Sequence, residues 1–252
     1  MKKTVLGTFG ASALLALAVS GCAGQAAPQA ADSSAAAPAP SQTTASPTPT
    51  ATPTPTAKAY TSEQLAAIVG QVRDAADRRL TVLPTGDIAT TLEQTKTMLA
   101  SIDVKPAECK ELAAASTVPS VDGATLAVGM STDTGTGAVT ALSLIAGLDR
   151  GFLAKVADSS EQLAKCSSMT MTASGMEIAV TVKAVPGVSS VPGAVAYRTD
   201  STLPDGRTQS TVTAQAVQQG LVLTSVASGG ASEADAVQRA GKLLDSAAAL
   251  VK

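Results

Sequence analysis

Histidine, tryptophan and asparagine are absent from this 252-residue chain, which has only two tyrosines and two phenylalanines. Without histidine, Ser-His-Asp and Cys-His catalysis are excluded. A zinc site loses its commonest nitrogen ligand as well, so no metal and no cofactor is expected. With so few aromatic rings there is little to stack on bases or sugars. The charge balance is nearly even, 18 basic against 20 acidic residues, and no basic patch is interleaved with aromatics. Nucleic acid is therefore not an expected partner. No G-x-S-x-G elbow, G-x-G-x-x-G loop or Walker pattern occurs. What remains for a core is alanine, valine, leucine, isoleucine and methionine.

The one long apolar run lies at the amino terminus. Lys2 and Lys3 precede "TVLGTFGASALLALAVS", and small residues follow. A charged start, a short apolar stretch and a small-residue exit describe a secretory signal peptide. Val19-Ser20-Gly21-Cys22 resembles the bacterial lipobox. That resemblance implies a diacylglyceryl group on Cys22, cleavage just before it, and Cys22 as the first mature residue. Residues 1–21 are then the signal peptide. Residues 22–59 are the acylated cysteine and an Ala/Pro/Thr-rich linker with no periodic apolar face, expected to remain disordered. Its proline spacing favours an extended, semi-rigid spacer. The expected address is the extracytoplasmic face of the cell membrane, held by the lipid.

Residues 60–252 suit one domain. Thr61 and Gln64 form a capping-box pattern, and Leu65, Ile68, Val69, Val72 and Ala76 make one stripe, so a helix is expected over 61–79. A second helix is expected over 87–102, where Ile88, Leu92, Leu99 and Ile102 share a face. "ATLAVGM" and "GAVTALSLIAG" read as a hairpin, and "GFLAKVADSSEQLAKC" reads as one helix. Alternation in "SMTMTASGMEIAVTVKAV" gives two more strands. Residues 194–228 give three, with turns at Pro204-Asp205-Gly206 and near Gly220. The polar row Gln209, Thr211, Thr213, Gln215 suggests a sheet face that meets water. A closing helix starts at Ser232. The expected fold class is α+β, a mainly antiparallel sheet of about seven strands with helices packed on one face.

Outside the cytoplasm cysteines pair, so Cys109 and Cys166 are expected to form a disulfide. "DTGTG" at 133–137 contains the Asp-Thr-Gly of aspartic proteases, but those enzymes need two facing carboxylates, and the preceding "GMST" is not apolar. A polar hairpin turn is the better reading. Glu108 and Glu111, beside Cys109, read as surface charge. "VPGVSSVPGAV" at 185–195 reads as a wide connection between strands, or as the rim of an apolar pocket. No catalytic residue is assigned, and no enzyme activity is expected.

The lipobox, the Thr/Pro linker, the helix leading to "VKPAEC", a second cysteine after a helix, antiparallel strands and a final helix form a set. Together they resemble actinobacterial envelope lipoproteins related to the extracellular sensor domain of the Ser/Thr kinase PknH. The resemblance implies helices against an antiparallel sheet with a central cleft, and a non-enzymatic domain that binds or senses a ligand. That family has two disulfides; this chain can form one. Ligand-binding residues cannot be assigned, and an apolar or cell-wall ligand is the expected partner. The alternative is a lipid or glycolipid carrier similar to the LprG/LppX lipoproteins, with Met169, Met171, Leu142 and Leu144 lining an acyl cavity. The sequence sets no oligomeric state.

Overall fold

The computed structural model describes residues 59–110, 123–173 and 175–251. The signal segment, Cys22, Glu111 and nearly all of the linker lie outside them. Strand β3 (Thr125–Asp133) turns at Thr134–Gly137 into β4 (Ala138–Ala146), as the sequence expects. Strands β5 (Ser168–Ala173) and β6 (Met176–Ala184) form a second hairpin. Strands β7 (Val195–Thr202), β8 (Thr208–Gln218) and β9 (Leu221–Ser228) complete the central sheet. The Pro204-Asp205-Gly206 turn joins β7 to β8, with Gly206 at a positive φ that a side chain would resist.

Two short strands carry no sequence signal. β1 (Thr81–Val82) pairs with β3, and β2 (Asp103–Lys105) pairs with β5. Among the described residues the sheet therefore has nine strands, in the order β1-β3-β4-β9-β8-β7-β6-β5-β2, rather than about seven. Segments of two or three residues carry no readable alternation, and both sit at an edge. Every pairing is antiparallel, so the α+β class is what is found.

Helix α1 (Ser62–Gln71) carries the expected capping box, with Thr61 and Gln64 bonded reciprocally. It is shorter than expected. Asp74 turns its carboxylate onto the N–H groups of Ala76 and Arg78, both at 2.9 Å, and a tight loop replaces further turns of helix. Helix α2 (Thr85–Ala100) follows β1. The expected single helix at 151–166 is two, α3 (Arg150–Ala157) and α4 (Ser159–Lys165), broken at Asp158. Helix α5 (Glu233–Leu250) starts on the Ser232 cap, whose hydroxyl accepts from Asp235 N.

α1 packs on β3 and β4, and α5 on β8, β9 and β4, covering one face. Leu65, Val69, Leu142, Leu144, Val212, Leu221, Leu223, Leu243 and Leu244 form the dry centre of that layer, all with 1% exposure or less. Strand alternation sends the neighbouring residues Ile145, Val217 and Val222 to the opposite face, where Phe152, Leu153 and Val156 of α3 meet them. Further along that second face, Met169, Met171, Val180, Val182 and Tyr197 gather around Cys109 and Cys166.

Candidate functional site

Between the two apolar clusters of the second face lies a polar ribbon. Register places Ser143 of β4 beside Thr224 of β9, and Thr224 beside Gln215 of β8. Val128 closes one end of this row and Val195 the other. The next row sets Thr213 beside Tyr197. These polar groups are not at the surface: Thr213 and Tyr197 are 2% exposed, Ser143 3%, Thr224 4% and Gln215 5%. α3 packs on β8 and α4 on β6, both on this face. The expectation that the Gln209–Gln215 row meets water is thus corrected. Gln209 is exposed and Thr211 half-buried, but Thr213 and Gln215 lie inside.

The ribbon is only partly self-satisfied. Gln215 Nε2 donates to Thr224 Oγ1 at 3.0 Å. Gln215 Oε1 is buried with no hydrogen-bond partner among the described residues. A buried acceptor in that state costs about 1–3 kcal/mol, so the position calls for a donor. The Tyr197 phenol is hydrogen-bonded to Thr213, and burial raises its pKa well above the ordinary tyrosine value, so it is neutral. Hydroxyls, an amide and a neutral phenol can bind and orient a polar group. They offer no carboxylate, amine or imidazole with which to move a proton at neutral pH. Among the described residues, no three His, Cys, Asp or Glu side chains gather as a metal set.

Cys109 and Cys166 form the expected disulfide, with Cα atoms 5.6 Å apart. Both are buried, joining the turn after β2 to the end of α4. Met169 and Met171 belong to the disulfide cluster on the second face, whereas Leu142 and Leu144 sit under α5 on the first. The four therefore do not line one cavity. Glu108 is exposed.

Asp133 of "DTGTG" caps its own turn, accepting from Gly135 N at 2.9 Å and Thr136 N at 3.2 Å, and pairs with Arg78 Nη1 at 3.2 Å. These backbone bonds, with Arg78, hold its carboxyl below the usual range. Residues 185–194 fold down onto α5. Ser189 Oγ donates to Asp245 Oδ1 at 2.6 Å and Ser190 N to the same oxygen at 2.9 Å, while Val188 and Val191 pack on the main core. The stretch is a connection from β6 to β7 that lies packed against α5.

No family model matches the chain and no curated protein does. Solved structures do. The chain is similar to the extracellular domain of PknH from Mycobacterium tuberculosis, at 15% identity and a TM-score of 0.47, over 76% of this chain and 98% of that one. It is also similar to an uncharacterised protein from Mycobacterium smegmatis, the Rv0999 ortholog, at 16% identity and a TM-score of 0.40, over 69% and 85%. No residue role passes to this chain from either.

Ser143, Thr224 and Tyr197 carry no signal of their own in the sequence. Each sits in an ordinary alternating strand, and only the three-strand register brings them together. One signal is present: Thr224 and Ser225 interrupt the apolar run of β9, and Gln215 ends the polar row of β8.

Proposed function

We propose that this is a lipid-anchored envelope lipoprotein whose domain, residues 60–252, binds or senses a ligand without transforming it. Cys22 carries the anchor and residues 22–59 are the spacer. The single observation that carries the binding reading is the buried neutral ribbon Ser143–Thr224–Gln215, with Gln215 Oε1 awaiting a donor. Apolar clusters on either side favour a ligand with apolar parts and at least one hydroxyl or N–H. An internal disulfide suits an oxidising compartment.

Two measurements test the two halves. Native mass spectrometry of the intact protein, extracted in detergent from its own cells, should show a co-purifying small molecule that Gln215→Leu loses. An empty spectrum from both proteins would sink the binding reading. Separately, Cys22→Ala should move the protein from the membrane to the soluble fraction and remove the acyl mass from the amino-terminal peptide. Unchanged membrane partitioning would refute the anchor.

A further inference from the structure

α2 joins β1 and β2, the two strands at opposite edges of the sheet. Connectivity therefore carries it across one face, and α1 and α5 already occupy the first. Leu99 packs with the disulfide cluster, which places α2 on the face that bears the polar ribbon.

The helix is fastened at its ends and little between. Before it, Leu83 N donates to the Val128 carbonyl at 2.9 Å. After it, Ile102 and Val104 are buried beside the disulfide. Between these anchors, none of its 16 residues is fully buried. Ile88, Leu92 and Leu99 reach only half-burial. Its polar side chains turn back on the helix itself: the hydroxyls of Thr90, Thr95 and Thr97 donate to the carbonyls of Gly86, Thr91 and Glu93. Lys96 pairs with Glu93 one turn away. Its first turn starts at Pro84 with no side-chain cap. α5, by contrast, has 18 residues and buries eight of them. Helices draw most of their stability from the packing of an apolar face. An element with few buried contacts opens at a lower free energy than the whole domain.

We propose that α2 is a hinged strap. It lifts from the ribbon face about its anchors at β1 and β2 while the sheet, α1 and α5 stay folded, and so gates access to the Ser143–Thr224–Gln215 row. The gating role rests on the binding reading above; the opening motion does not.

Two buried serines make the test. Ser143 lies on the ribbon face, and Ser225, with no exposure, lies on the other, where its hydroxyl donates to Ala240 of α5 at 2.7 Å. Each is replaced by cysteine in the full-length chain carrying Cys22→Ala, so that the introduced thiol is the one outside the disulfide. N-ethylmaleimide labelling is then followed by mass under native conditions. The thiol of Ser143→Cys should label at least about tenfold faster than that of Ser225→Cys. Adding Leu92→Asp, which weakens the strap, should speed the first again by about tenfold and leave the second unchanged. Equal rates at the two positions, or no response to Leu92→Asp, would overturn the proposal. Should Ser143→Cys fail to fold, Thr224→Cys in the same row takes its place. Hydrogen exchange on the unsubstituted chain adds an independent reading: α2 amides should exchange at least about 100-fold faster than those of α5, and matching rates would also overturn the strap. An absence of co-purified ligand would remove the binding reading and leave these rates as they are.

Discussion

At the scale of residues, single polar or missing side chains fix the fold's joints. Asp74 is buried, and beyond its two backbone bonds it accepts from Ser131 Oγ and Arg78 Nε, both at 2.8 Å. Burial pushes its carboxyl up, but the bonds from Arg78, Ser131 and Ala76 outweigh that and leave it below the usual range. Asp133, fixed by the same arginine, is shifted the same way. A lowered folded pKa means stability that is present above the ordinary aspartate value, about 3.9, and is lost as pH falls through the lower folded values. Urea unfolding between pH 5 and pH 2 should show this acid limb, and Asp74→Asn should flatten it while lowering stability at pH 7. Gly241 is a joint of another kind. A Cβ there would collide with the Val188 carbonyl oxygen, where the 185–194 loop lies against α5. Gly241→Ala should therefore cost about 1–3 kcal/mol, read as a lower urea midpoint at unchanged slope. Neither joint was legible in the sequence. Asp74 falls inside the span expected to be helical and Gly241 sits mid-helix, and Ser131 and Val188, which meet them, are distant in the chain.

At the scale of elements, legibility followed periodicity and length. Strands of six to eleven residues announced themselves, as did the capped starts of α1 and α5. The short edge strands did not, and the break at Asp158 was hidden because the apolar spacing runs through it. The burial of the ribbon is hidden for a related reason: alternation shows that Thr213 and Gln215 share a face, but not that helices pack on that face. One of those helices, α4, is tied down at its end by the disulfide, whose cysteines are 57 residues apart. Closing a loop of that length is worth about 4 kcal/mol in the chain-entropy model. Reduction, or Cys109→Ser with Cys166→Ser, should lower the melting temperature by several degrees. A calorimetric scan with and without reductant checks it, and coincident curves would show that the loop is held by other contacts.

At the scale of the whole molecule, one stretch of 25 residues, from Thr81 to Lys105, supplies both edge strands and the helix between them. β1 guards part of β3 and β2 guards part of β5, each by a few ladder bonds. Elsewhere the long strands protect one another. Exposed sheet edges recruit other chains, and proteins commonly blunt each edge by a separate device. Here the two edges share one clasp, and its middle is a helix with no fully buried residue. A single protease cut within α2 would loosen both clasp ends together and present two open edges on one molecule, enough for chain-to-chain growth in both directions. The protection of both sheet edges thus rests on a helix that adds little to the core.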